Sequence, residues 1–257
     1  GEQLCVRRKA RGLQLTPAGQ FFARGARRLL HDADGLVSDL AGSGGRFRGP
    51  VKLGVFASFA SSVVPAILEG FPVLHPEVTV DVTVGSHDDL LPALDAGMLD
   101  LALVYDMLLP PGYARRAIYA TELMAVLPPD HRLAALDAVD LALLAPVPLI
   151  MYESSPSTSN TDQLFAGRGL RPNIAMSMPQ VILVQALVGR GLGYGLLMSR
   201  PDQPPQAVGG RQVVLRPLAP PASRTSVAAI WPEQTRLSAR AGALLDYAVE
   251  VLQAPAG

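Results

Sequence analysis

The sequence predicts an α/β protein of two lobes preceded by a long helix. Two observations carry the lobes: apolar strands alternate with helices after residue 50, and the alternation is repeated in a second unit after about residue 120. A third, a capped amphipathic pattern ahead of both units, carries the helix. With 257 residues, 49% hydrophobic and 17% charged, the chain can bury a core in more than one lobe.

The first element is basic. Arg7, Arg8, Lys9 and Arg11 crowd a short loop, and Thr16-Pro17 then reads as a helix start. The threonine oxygen can accept from a free amide of the first turn, and proline at the first helical position loses no hydrogen bond. From there Phe22, Ala26, Leu29, Ala33, Leu36 and Leu40 recur at alternating spacings of four and three, on one seam, with Leu30 and Val37 widening the stripe. Such a stripe pairs with a second helix or packs on its own domain. Gly42-Ser43-Gly44-Gly45 and Gly49-Pro50 form a joint behind it.

In the first unit Val51–Phe56 is a buried strand, 61–74 a helix, Val78–Val84 a strictly alternating strand, 86–96 a helix led by Asp88 and Asp89, and Leu99–Tyr105 an apolar strand. That order implies a parallel sheet covered by helices. The second unit reads as strands near 123–127, 148–152 and 173–178, helices at about 158–167 and 181–188, strands at 194–198, 212–215 and 226–231, and a terminal helix at 237–252.

Charge is segregated. Residues 1–48 hold nine Lys or Arg against four acids, so the neutral whole is a basic arm of +5 on a body of −5. Segregated cations suit phosphate contacts, which position a protein on DNA without reading its sequence. The longest uncharged apolar run, 141–152, is too short for a bilayer and holds two prolines. No secretory signal pattern opens the chain and the single Cys5 cannot form an internal disulfide, which points to the cytoplasm. Cys5 sits among cations, but no resolving cysteine accompanies it for a redox role.

Enzyme chemistry has little support. Gly189–Gly195 is glycine-rich but follows a helix and enters a strand, the reverse of a dinucleotide loop. His31, His75, His87 and His131 have no metal-ligand spacing, and no G-x-S-x-G elbow occurs. No cofactor, metal or catalytic residue is expected.

Arg8, Arg11, Gly12, Leu15, Thr16, Ala18 and Gly19 match an R-x-x-R-G-x-x-L-T-x-A-G stretch that resembles the wing and linker of LysR-type transcriptional regulators. Farther along, Ser58, His75-Pro76, Asp100-Leu101-Ala102, His131-x-Leu133-Ala134 and Gly191-Leu192-Gly193 fall where that family carries them, so the resemblance spans essentially the whole chain. It implies residues 1–16 as the remnant of a winged helix-turn-helix whose recognition helices lie upstream, residues 17–45 as a dimerising linker helix, and residues 51–255 as an effector-binding domain. That domain would have the two-lobed fold of periplasmic solute-binding proteins, with lobe I at about 51–120 plus 228–255 and lobe II at about 121–227. Hinges would lie near 121–125 and 225–229.

The implied partners are DNA in the full-length form, a second copy of the chain or a tetramer of copies, and a small anionic effector. In this fold the interlobe cleft collects strand ends and helix N-termini, which attract anions. Ser58, Phe59, Gly85, Ser86, Tyr105, Ser157 and Thr158 are the pocket candidates, although each hydroxyl can equally serve as a helix cap. Met198-Ser199-Arg200-Pro201 departs from the family's leucine-leucine-proline ending of that strand and alters the pocket floor, while Ser159 and Asn160 stand where many relatives carry basic residues. The alternatives are a free-standing solute-binding protein of the same fold, which an export signal would mark, and a metabolic enzyme on a related scaffold, which turnover would mark.

Overall fold

The structure is a computed structural model that describes residues 1–8, 12–41, 47–200, 209–222 and 224–253. The Gly42–Gly45 joint, Lys9 and Arg11, and the side chains of Arg8 and Leu40 lie outside the described residues.

The basic segment is not the loop its sequence suggests. Cys5–Arg8 (β1) and Gly12–Leu15 (β2) pair antiparallel, so Arg7 and Arg8 stand on a strand. Helix α1 (Pro17–Ala41) follows, and the Thr16 hydroxyl accepts from the Gly19 amide at 3.0 Å, as the capping pattern requires. The same hydroxyl donates to the Gln3 carbonyl at 2.7 Å, and the Thr16 amide donates to Leu4 at 3.0 Å. Those bonds dock the hairpin on the helix so tightly that a Cβ on Gly19 would stand 1.9 Å from the Leu4 oxygen, which gives the glycine of the motif its physical reason. Among the described residues no helix is long and apolar enough to cross a membrane.

The body starts as the periodicity predicts. Strands β3 (Gly49–Phe56), β4 (Val78–Gly85) and β5 (Leu101–Tyr105) are parallel, joined by α2 (Ala60–Leu74) and α3 (His87–Asp95). Buried Asp100 binds the Lys52 amide at 2.7 Å, fixing the start of β5 against β3. Strand β6 then runs from Tyr113 to Leu127, longer than the apolar stretch that sequence marks, because its first half carries Arg115 and Arg116 on the surface, paired with Asp106 and Asp246. Next come a 3₁₀ turn at Arg132–Ala135, capped by the His131 ring, β7 (Val139–Asp140) and α4 (Leu141–Leu144).

The remaining elements are β8 (Pro148–Tyr152), α5 (Ser157–Gly167), β9 (Asn173–Met178), α6 (Val181–Val188), β10 (Gly195–Ser199), β11 (Val214–Ala219), β12 (Arg224–Pro232) and α7 (Ala239–Gln253). The main sheet runs β4-β3-β5-β12-β6-β11-β7, with β10 also paired to β6, while β8 and β9 form a separate parallel pair. The two lobes are therefore not separate sheets. They are joined by β6 and β12, which pair antiparallel with Thr121 opposite Thr225 and a bulge at Ile118, opposite the Val227/Ala228 step. The crossing segments named from sequence meet only at their first residues, Thr121 opposite Thr225; beyond that pair, 226–229 lie against 116–120 of β6, and 123–125 lie against β10 and β11. Among the described residues there are two apolar clusters: the larger holds Leu53, Ile67, Phe71 and Leu244 and continues to Ile150, Val184 and Leu197 of the second unit, and the other holds Leu127, Leu141, Phe165 and Tyr194.

Candidate functional site

A cavity of about 650 Å³ lies between the lobes, a size that suits a small organic ligand. The first lobe contributes the β3–α2 turn with Ser58 and Phe59, and Tyr105 at the carboxyl end of β5. The second contributes Ser157, Asn160 and buried Thr161 from α5, with Gln180 and Gln185 around α6. The connecting ribbon supplies Tyr119, Thr121 and Leu123, and β10 forms the floor with Leu196, Leu197 and Met198.

The sequence candidates divide. Ser58, Phe59, Tyr105 and Ser157 are brought together in the cavity wall; Gly85, Ser86 and Thr158 lie outside it. Ser58 and Tyr105 already share a hydrogen bond of 2.9 Å, and burial pushes the Tyr105 phenol far above its usual range, so it stays protonated. Phe56, Phe59 and Tyr105 pack edge-on or tilted behind the Ser58 turn with ring centres 5.1–6.0 Å apart, a rigid backing for that hydroxyl.

The residues left outside have local partners. The Ser86 hydroxyl and amide both donate to Asp89, at 2.7 and 2.9 Å, and these bonds hold the Asp89 carboxyl below its usual range. With that carboxylate at its start, α3 offers poor attraction to a second anion. Its first amide, from His87, instead donates to Ser155 across the lobes at 3.1 Å. The Thr158 hydroxyl lies 3.2 Å from the Ser154 amide and 3.3 Å from the Tyr152 carbonyl, tying the turn before α5.

His87 is buried against Phe56, with no hydrogen-bond partner for Nε2 among the described residues, and burial lowers its pKa from 6.5 to about 4, although Asp88 and a hydrogen bond to the Tyr105 backbone pull the other way. Because the folded value lies below the unfolded one, the neutral ring's contribution is complete above pH 6.5 and is lost as pH falls towards 4, at about 1.4 kcal/mol per pH unit. Chemical denaturation of wild type and His87→Asn between pH 7 and 4.5 checks this. The variant should show a slope shallower by one proton; equal slopes would contradict the assignment.

Arg200, at the cavity edge beyond β10, lines the cavity and was not among the sequence candidates. Its guanidinium carbon stands 4.6 Å from the Tyr119 ring centre, and Nη1 donates to the Leu252 carbonyl at 3.0 Å. The signal was present in the departure at 198–201. What hid its place in the wall is tertiary: β10 lies against β6 with Ser199 opposite Glu122, which brings Arg200 beside Tyr119.

A family model described as the LysR substrate binding domain matches residues 44–253. A mycobacterial relative from Mycobacterium avium, named "Probable hydrogen peroxide-inducible genes activator", is 32% identical over 153 residues, 60% of this chain and 49% of that one. Another of that name from Mycobacterium leprae is 28% identical over 200 residues, and the chain covers 64% of its length. The chain thus spans between about half and two thirds of these curated relatives. Among solved structures, HinK, a LysR family transcriptional regulator from Pseudomonas aeruginosa, superposes with a TM-score of 0.72 at 32% identity, covering 93% of this chain and 81% of that one. The effector binding domain of QuiR, solved in complex with shikimate, shares the fold at 20% identity and a TM-score of 0.68, over 80% of this chain and 98% of that one.

Proposed function

The chain belongs to the LysR family, and from that membership we propose that it is the sensing and pairing part of a ligand-responsive, cytoplasmic transcription regulator whose effector is a small anion held between the lobes. The observation that carries the reading is the cavity itself: both lobes and the ribbon joining them build one wall, so a ligand there bears directly on their relative orientation. Ser58, Phe59, Tyr105 and Ser157 are the contacts, with Gly85, Ser86 and Thr158 bracing the turns around them. Shikimate, the acid bound by QuiR, supports an acid as the ligand class.

On this reading lobe I spans about 51–120 with 228–255 and lobe II about 121–227, with 1–16 as the wing and 17–45 as the linker. The effector shifts the population of lobe orientations about the paired segments near Thr121 and Thr225, and two chains paired through α1 pass the shift to the DNA-binding heads. Such a coupling needs only about 1–3 kcal/mol. Arg7, exposed on the hairpin, with Arg8, Lys9 and Arg11, holds the phosphate backbone. A free-standing solute-binding protein would have no use for that hairpin or for the exposed stripe on α1.

Thermal unfolding with acetate, benzoate and succinate, each against its amide at equal ionic strength, tests the ligand class. At a hundred times its dissociation constant a bound acid adds about 2.7 kcal/mol, raising the melting temperature by about 5–10 °C. At least one acid should do so while its amide does not. No shift with any of the three would contradict an anionic effector.

A further inference from the structure

Arg200 joins the cavity to a helix whose far end reaches the linker. Besides facing Tyr119, it donates to the carbonyl of Leu252 in the last turn of α7, where backbone oxygens carry the negative end of the helix dipole. At the other end, in the first turn of α7, buried Arg240 donates to the Arg48 carbonyl at 3.3 Å, immediately before β3. Helix α1 passes the same corner: a Cβ on Gly35 would stand 3.6 Å from that of Ser238. Between those ends Ala241, Leu244, Leu245, Ala248 and Leu252 are buried in the first core. A helix of this length is a rod of about 22 Å. Packed along its buried face, it shifts as a body more readily than it bends.

We propose that Arg200 is the residue that recognises the anion, and that in doing so it exchanges the Leu252 carbonyl for the ligand's carboxylate, releasing the end of α7 and altering the hold of its first turn on the linker exit. The inference rests on the reading that an anion occupies the cavity. A carboxylate outcompetes a neutral carbonyl for a guanidinium because it brings full charge and two acceptor oxygens to a planar fork. Tyr119 suits this role: burial pushes its phenol up to about 12 although the guanidinium beside it pulls the other way, so the ring stays neutral and remains a platform on which the guanidinium can turn. The apolar floor of Leu196, Leu197 and Met198 fits the body of an aromatic or branched acid rather than a compact inorganic anion.

Hydrogen exchange of the full chain, followed by mass spectrometry with sodium benzoate or with benzamide at equal ionic strength, tests the proposal on wild type, Arg200→Gln and Arg200→Lys. In wild type, benzoate should protect the 57–62 turn and speed exchange in the last turn of α7 and at residues 47–50 by about tenfold, whereas benzamide should do neither. Arg200→Gln should show the fast α7 end without ligand and bind benzoate at least tenfold more weakly. Arg200→Lys, which keeps the charge and loses the fork, should fall between. Benzoate that protects the cavity equally in wild type and Arg200→Gln, or that saturates wild type without touching α7, overturns the proposal and leaves the anionic reading standing. Absence of protection by benzoate overturns the proposal, and the anionic reading falls with it only if acetate and succinate also leave the chain unstabilised. Should the glutamine variant not fold, the wild-type exchange at α7 decides alone.

Discussion

Leu29→Glu with Leu36→Glu should give a folded chain that no longer pairs. Leu29 is 72% exposed and Leu36 66% exposed, and Phe22 on the same seam is 60% exposed, so their replacement removes nothing from either core of the body. On the reading that α1 pairs two chains, the apolar face that Phe22, Leu29 and Leu36 leave open among the described side chains of α1 is the contact. Burying a leucine stabilises by about 1.5–3 kcal/mol, and a dimer would bury four of them, so the double variant should weaken association by more than about a thousandfold even before the burial of carboxylates is counted. Sedimentation equilibrium alongside circular dichroism checks it. Unchanged association with an intact fold would place the dimer contact elsewhere.

Gly193→Ala should be strongly destabilising. Gly193 has φ +154°, a conformation side chains rarely adopt, and a Cβ there would stand 2.3 Å from the Pro148 carbonyl oxygen. That carbonyl cannot simply move, since it accepts the Tyr194 amide at 2.9 Å, and the Tyr194 carbonyl accepts from Ile150 at 2.8 Å. Backbone strain and overpacking each cost about 1–3 kcal/mol, so a loss of about 3–5 kcal/mol is expected in urea unfolding. The strain falls between β8 and β10, whose Leu196, Leu197 and Met198 form the cavity floor, so ligand affinity should fall with stability. Near-wild-type stability would show that the turn is not held as the structure has it.

Strand and helix positions were legible wherever one residue type repeats with one period. The alternation at Val78–Val84 and the Thr16-Pro17 cap named their elements almost to the residue, because pattern and local chemistry agree there. The first half of β6 was not legible: its buried Tyr113 and Ile118 are separated by exposed Arg115, Arg116 and Ala117, and the bulge at Ile118 breaks the period of two. In the site, the serine-rich turns at Ser58 and Ser157 were found through their position after strands. Ser86 could have been set aside from sequence, since Ser86-x-x-Asp89 is the spacing of a reciprocal cap. Arg200, Tyr119 and Leu197 lay beyond reach because only the register of β10 on β6 brings them into the same wall.

Methyl-resolved NMR titration tests the central claim most directly, using whichever acid of the thermal panel stabilises the chain most. If an anion binds between the lobes, the methyls of Leu123, Val181, Ile182, Leu197 and Met198 shift first and saturate together, at the concentration that gives half the thermal effect. Shifts confined to methyls outside that wall, with these five unmoved at saturation, would contradict it.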